Sequence, residues 1–60
     1  MNVTINDLPR NVNRYTWIVC RAVEGEVWYY SGWYAGQKAD ALAQAAEVDG
    51  FVVENLSVAP

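Results

Sequence analysis

The sequence predicts an α+β domain of ββαβ order, in which a three-stranded antiparallel sheet of strand order 2-1-3 carries one helix on one face. Three observations predict this fold. Two segments rich in β-branched and aromatic residues flank a short reversal, strong helix formers follow, and another β-prone segment comes last. We expect a single domain over residues 1–60, with 1–13 as an N-terminal arm or short strand and 14–58 as the ββαβ core.

The first two strands are predicted over residues 14–23 and 26–34, joined by the reversal VEGE. A two-residue mirror-image turn would hold Glu24 at positive φ, which is costly for a glutamate side chain. A three-residue loop of Val23, Glu24 and Gly25 needs only the glycine in the left-handed region. We therefore expect the three-residue loop.

That loop would pair Cys20 with Trp28 and Ile18 with Tyr30. Because side chains alternate along a strand, both faces of the hairpin then carry large aromatic residues. A two-residue turn would exchange the second strand's side chains between the faces. Gly32 is expected to mark a bulge or a close approach of the backbone.

A helix is predicted over residues 37–48, QKADALAQAAEV, with Gly36 as its N-cap and Gly50 as residue C′. Gln44 is expected to lie mostly away from the sheet. A period of 3.6 residues places one apolar stripe toward the sheet, formed by Ala41, Leu42, Ala45 and Val48.

The third strand is predicted over residues 51–58, beside the first strand. The helix returns the chain to the hairpin end of the sheet, so this strand runs antiparallel to its neighbour. Near the start, NVTI leaves open a short fourth strand on either edge, and Pro9 is expected to end the turn that follows.

Composition argues against several classes of function. The chain has one cysteine, Cys20, and no histidine, so an intrachain disulfide, a common zinc site and the usual nucleophile–base pairs cannot be assembled. We expect Cys20 to be a packing residue in a protein that is not an enzyme and holds no metal or cofactor. The net charge of −3 disfavours nucleic acid as a partner, and no apolar run approaches a membrane span. A cytoplasmic location is expected.

One helix covers one face of a three-stranded sheet, so the aromatic side chains of the other face are surplus to folding. Tryptophan and tyrosine are frequent hot spots of protein interfaces. The predicted protein-binding aromatic surface consists of Trp28, Tyr30, Tyr34 and Trp17. The second strand is also predicted to be an edge without lysine or proline, which favours a homodimer through strand 26–34.

Charge placement indicates a second candidate site. The hairpin turn, the end of the helix and the start of the third strand should lie at one end of the domain. This would gather an acidic end there, formed by Glu24, Glu26, Glu47, Asp49 and Glu54. Such an end either keeps the protein soluble or docks a basic surface of a partner.

The leading functional hypothesis is a small acidic protein-interaction module that binds and blocks a partner protein. In size and architecture it is similar to accessory or inhibitor proteins encoded by phages and mobile elements, and no motif identifies a family. Two alternatives remain open: binding of single-stranded nucleic acid through exposed aromatic rings, and a purely structural homo-oligomer subunit.

Overall fold

A computed structural model describes residues 3–58 of the chain. These residues form three strands and one helix: β1 (Trp17–Val23), β2 (Glu26–Trp33), α1 (Lys38–Glu47) and β3 (Phe51–Glu54). Short 3₁₀ turns precede β1, precede α1 and follow β3, at Val12–Arg14, Ala35–Gln37 and Asn55–Ser57. The strands form one antiparallel sheet of order β2-β1-β3, and α1 packs on it. The predicted ββαβ architecture is confirmed.

The hairpin turn has two residues, Glu24 and Gly25, with φ values of 52° and 82°. Val23 pairs with Glu26, so the expected three-residue loop is wrong. A mirror-image turn has the same twist as the strands that it joins. The better strand pairing outweighs the cost of holding one glutamate in the left-handed region.

Replacing Glu24 by asparagine should raise the free energy of unfolding by about 1 kcal/mol, because asparagine tolerates the left-handed conformation better than glutamate. The matched control is Glu26→Gln, which removes a carboxylate at the same end of the hairpin from a residue without positive φ. Urea denaturation measures both. If the two variants shift the midpoint equally, lost charge repulsion rather than turn strain explains the effect.

A β-bulge in β2 resets the alternation of side chains. Tyr29 pairs with Cys20 and Ser31 pairs with Val19, which leaves Tyr30 as the extra residue. Between the turn and the bulge, each β2 side chain points to the opposite face of the sheet from the one predicted, because the turn has two residues instead of three. Trp28 therefore points to the same side of the sheet as α1.

The helix covers the face of the sheet that carries Val19. Ala41 and Ala45 are buried against Val19, and four side chains pack around them: Trp17, Trp33, Val48 and Val52. Leu42 was predicted on this stripe but is 52% exposed, whereas Gln44 turns toward the sheet. The two alanines explain this rotation of the helix about its axis, because their small side chains let the helix approach the sheet closely. Leu42 is then turned about 100° away from Ala41.

The chain's own N-terminal arm, residues 3–15, covers the opposite face. Ile5 is 7% exposed and forms a core cluster with Ile18, Cys20 and Val53. Seven partly buried side chains surround this cluster: Val3, Leu8, Val12, Tyr15, Val27, Tyr29 and Val58. The prediction that one face of the sheet is left open is therefore wrong.

The arm makes two isolated parallel bridges, Val3 with Val58 and Asn6 with Trp28, instead of the fourth strand that NVTI left open. Asn2, the first residue of that segment, lies outside the described residues. Between the bridges, the arm crosses the sheet and contacts it through apolar side chains. Side-chain packing rather than strand pairing thus accounts for most of its attachment.

The close approach predicted at Gly32 is confirmed. A Cβ atom on Gly32 would overlap the ring of Tyr15, which lies flat on the backbone at this position. Tyr15 also contacts Tyr34 in a tilted arrangement, with 5.5 Å between ring centroids and 37° between ring planes. Only glycine leaves room for this aromatic pair on the sheet.

The helix ends in a Schellman motif whose left-handed residue is Asp49, with φ of 55°. Gly50 was predicted in that position but is the next residue, and its N–H donates to the carbonyl oxygen of Ala45 at 2.7 Å. A Cβ on Gly50 would overlap the carbonyl oxygen of Cys20. Glycine at this position therefore allows the backbone to pack closely against β1. Gly36, predicted as the N-cap, lies within the 3₁₀ turn that precedes α1.

The third strand is shorter than the predicted range of 51–58. After Glu54 the chain turns into a 3₁₀ turn at Asn55–Ser57. The Asn55 amide nitrogen donates to the carbonyl oxygens of Val12 at 3.2 Å and Tyr15 at 2.8 Å. These hydrogen bonds tie the end of the strand to the arm and divert the chain from the sheet.

Candidate protein-binding surface

Three of the four predicted aromatic side chains are exposed in the structure: Trp28 (40%), Tyr30 (46%) and Tyr34 (53%). Trp17 is only half-buried but belongs to the contact between α1 and the sheet. Its indole N–H donates to the carbonyl oxygen of Ala35 at 3.1 Å, and the Lys38 ammonium lies 4.9 Å from its ring centroid. Trp17 is thus held in place by the fold.

Tyr34 lies apart from the other two exposed rings. It follows β2 at the end of the sheet where α1 begins, and its backbone N–H donates to the side-chain oxygen of Gln37 at 2.9 Å. Trp28 is six residues earlier along an extended chain, which corresponds to roughly 20 Å. Trp28 and Tyr30 are the two exposed rings within β2, and we call these two residues the aromatic ledge.

Trp28 lies on the helix side of the sheet, beyond the part that α1 covers. It pairs with Arg21, which alternates with Val19 on β1 and so points to the same side. From Arg21 to Val23, β1 is exposed, whereas Val19 is fully buried under α1. The hairpin thus projects past the helix and leaves Trp28 in solvent.

A polar cluster fixes which flank of α1 faces β2. The Gln44 side-chain oxygen accepts hydrogen bonds from the Trp33 indole N–H at 3.0 Å and from the Ser31 hydroxyl. Asp40 and Glu47, four residues before and three residues after Gln44, lie on the same flank. Both carboxylates are exposed and face the β2 side of the domain.

One carboxylate, Glu26, lies beside Trp28, because it precedes Trp28 by two positions on the same side of β2. Asp40 and Glu47 lie on the β2 flank of α1, and Asp40 is about 6 Å farther from the hairpin than Gln44 along the helix. Sequence analysis missed Asp40, because its position depends on the helix phase that Ala41, Ala45 and Gln44 set. The pair of alanines four residues apart was the signal for that phase.

The predicted acidic end is only partly assembled. All five predicted carboxylates are exposed, but Glu54 pairs with Trp17 at the end of the sheet away from the hairpin turn. Strand β3 begins opposite Cys20 and ends at Glu54, so only its first residue lies toward the hairpin. The other four carboxylates lie on the turn, on β2 and at the end of α1. Within residues 3–58, no group of three or more potential ligands is arranged to hold a metal ion.

Cys20 packs in the core, as predicted. Its side chain is fully buried between the sheet and the arm, and burial raises the pKa of the thiol to about 11. The thiol is therefore protonated at neutral pH and shielded from solvent. The nucleophilic thiolate is therefore not formed at this position, and a substrate has no access to the sulfur atom.

An open groove of about 460 Å³ lies at the far end of the molecule from the hairpin turn. Its walls combine the end of β3 with the chain that enters β1. The lining residues are Asn13, Tyr15, Thr16, Glu54, Asn55 and Leu56. The groove is thus separate from the aromatic ledge.

Comparisons with known proteins do not assign the chain to a family. No protein-family profile, no curated protein and no solved structure matches it. Among the described residues, α1 is the only α-helix, and it is too short and too polar to cross a lipid bilayer.

Proposed function

We propose that this chain is a small cytoplasmic protein-interaction module without enzymatic activity, which binds a partner protein through the aromatic ledge. By occupying that surface it blocks the partner, as an accessory or inhibitor protein of phage or mobile-element type would. One observation carries the proposal. The arm and α1 already close both faces of the sheet, yet Trp28 and Tyr30 remain about half exposed. Their rings are surplus to the core.

The charges around the aromatic ledge favour a protein over single-stranded nucleic acid. Glu26 lies beside Trp28 on the same side of β2 and would repel phosphate groups. Arg21 is the basic residue next to Trp28. The other basic side chains lie elsewhere: Arg10 and Arg14 in the arm, and Lys38 over Trp17.

A second copy of the chain is an alternative partner for the aromatic ledge. The N-terminal arm limits how such a copy could pair with β2. Asn6 donates its N–H to the Val27 carbonyl oxygen and accepts from the Tyr29 N–H, both at 2.9 Å. The edge of β2 next to Trp28 is therefore occupied within one chain. A homodimer through strand 26–34 would have to displace the arm or use only the residues after the bulge. This supports contact through the side chains of the ledge.

Replacing Trp28 or Tyr30 by serine should abolish capture of the partner from lysate of the natural host. Loss of a central aromatic residue lowers affinity by roughly thirtyfold or more at a hot spot. Tyr34→Ser is the matched control, because it removes an equally exposed ring about 20 Å away. Capture that survives both ledge substitutions, or is lost equally with the control, contradicts the proposal. Sedimentation of the same proteins shows whether the partner is a second copy.

A further inference from the structure

The tip of the N-terminal arm, residues 3–6, joins the rest of the chain through a strained turn at Asp7. We propose that two copies of the chain exchange these tips, so that the tip of each copy packs on the sheet of the other. This inference goes beyond the proposed function and does not depend on it, because it rests on contacts of the arm and on none made by the exposed rings.

The contacts that hold the arm tip are made with the sheet and with the chain that follows β3. The Ile5 side chain is 7% exposed and packs in a core cluster with residues of β1 and β3. The Asn6 backbone exchanges two hydrogen bonds of 2.9 Å with β2, and the Val3 N–H donates to the Ser57 carbonyl oxygen at 2.6 Å. Because these partners lie outside the turn, an identical tip from a second copy would make the same contacts.

The turn between the tip and the rest of the arm is concentrated at one residue. Asp7 is exposed and has a φ of 65°, in the left-handed region. This conformation is disfavoured for a residue other than glycine by roughly fivefold or more. Leu8 precedes a proline and therefore favours an extended backbone, and the ring of Pro9 fixes its own φ. These two residues cannot take over the turn, so the strain stays at Asp7 while the tip lies on its own sheet.

An extended Asp7 would release this strain and direct the tip away from its own sheet. The rest of the arm can stay in place, because Leu8, Val12 and Tyr15 pack against the same core cluster beyond the turn. The exchanged dimer then keeps the contacts of two monomers and relieves two strained turns. Short connections under strain are the ones that favour an exchange of this kind.

The length of the connection sets the concentration at which exchange competes with closure within one chain. A short connection presents a tip to its own sheet at an effective concentration on the order of 1 mM. Relief of two strained turns, each by roughly fivefold, lowers the required protein concentration by roughly twenty-five-fold. We therefore expect half of the chains to be dimeric below about 0.1 mM.

Two substitutions at the turn test the inference in opposite directions. Valine disfavours the left-handed region more strongly than aspartate, so Asp7→Val should lower the concentration of half-dimerisation roughly fivefold or more. Glycine adopts this region without strain, so Asp7→Gly should raise that concentration roughly tenfold or more. Each protein is refolded from urea at several concentrations up to about 1 mM, and sedimentation then measures the dimeric fraction.

Glu24→Gly is the matched control for these variants. Glu24 is also exposed and has a φ of 52°, but it lies in the hairpin turn and not between the arm tip and the sheet. Like Asp7→Gly, it removes one carboxylate and one strained residue, and it should change the concentration of half-dimerisation by less than about twofold. Equal shifts with the two glycine variants, including no shift with either, would overturn the inference. This comparison is decisive even if Asp7→Val does not fold.

Mixed isotope labelling identifies the segment that is exchanged. Isotope-labelled and unlabelled copies are mixed in urea and refolded together at about 1 mM. We expect nuclear Overhauser contacts between the Ile5 methyl groups of one copy and the Val53 methyl groups of the other, because these side chains share one core cluster. A dimer in which all such contacts lie within one copy would overturn the inference. So would a wild-type protein that stays monomeric at about 1 mM.

Discussion

Replacing Gly32 by alanine should lower the free energy of unfolding by about 2–3 kcal/mol, because the new Cβ would overlap the ring of Tyr15. The atoms in conflict include Cγ, so the tyrosine cannot relieve the overlap by moving only the end of its side chain. Tyr15 would have to move away from the backbone of β2 and lose its ring contact with Tyr34. In a domain of this size such a loss should leave a large unfolded fraction at 25 °C.

Gly36→Ala is the matched control for this prediction. A methyl group on Gly36 would meet no other atom within 4 Å, and the residue has no positive φ, so alanine there should be neutral or slightly stabilising. Urea denaturation followed by tryptophan fluorescence compares the two variants. Similar midpoints for Gly32→Ala and Gly36→Ala would show that Tyr15 does not pack on Gly32.

Replacing Ile5 by alanine should cost about 2–4 kcal/mol, because Ile5 is the buried anchor of the arm in the core. The loss should also expose the apolar face around Ile18 and Val53. We therefore expect the variant to bind a hydrophobic dye and to self-associate at concentrations where the wild type does not.

Leu56→Ala provides the comparison for the arm. Leu56 is 88% exposed, so its replacement removes about the same number of side-chain atoms without opening a cavity. Its effect on unfolding should stay within about 0.5 kcal/mol. If Ile5→Ala is equally mild, the arm does not contribute to the core, and the face beneath it is free for a partner.

The fold could be predicted because its strongest signals are local. β-branched and aromatic runs mark β1 and β2, and the alanine-rich segment marks α1. Once a helix follows a hairpin, few topologies remain for the last strand. The strand order therefore follows from element types alone, without knowledge of any side-chain contact.

The register and the covered face could not be predicted in the same way. They depend on differences of about 1 kcal/mol, such as the strain at Glu24, and on the bulge at Tyr30. The apolar residues of the arm are irregularly spaced and follow neither a helical nor a strand period. Its role becomes visible only when the face that it covers is known.

The candidate surface was partly predictable. Trp28 and Tyr30 were predicted as surface residues, but from a strand register that the structure does not have. The two-residue turn and the bulge change that register, and both rings are exposed in the register that results. Trp17 was assigned to the surface but packs under α1. The position of Asp40 on the β2 flank was missed, because it follows from the helix phase that Ala41 and Ala45 set.

The bridge between Val3 and Val58 has a consequence for how the protein folds during synthesis. The ledge lies on β2, which forms a hairpin with its neighbour β1, so its surroundings can form early. The arm is synthesised before the strands that it covers, but the Val3 N–H finds its partner, the Ser57 carbonyl oxygen, only after β3 has been made. The arm therefore cannot complete its cover of the second face until Ser57 and Val58 have been synthesised. We expect this long-range step to limit the folding rate.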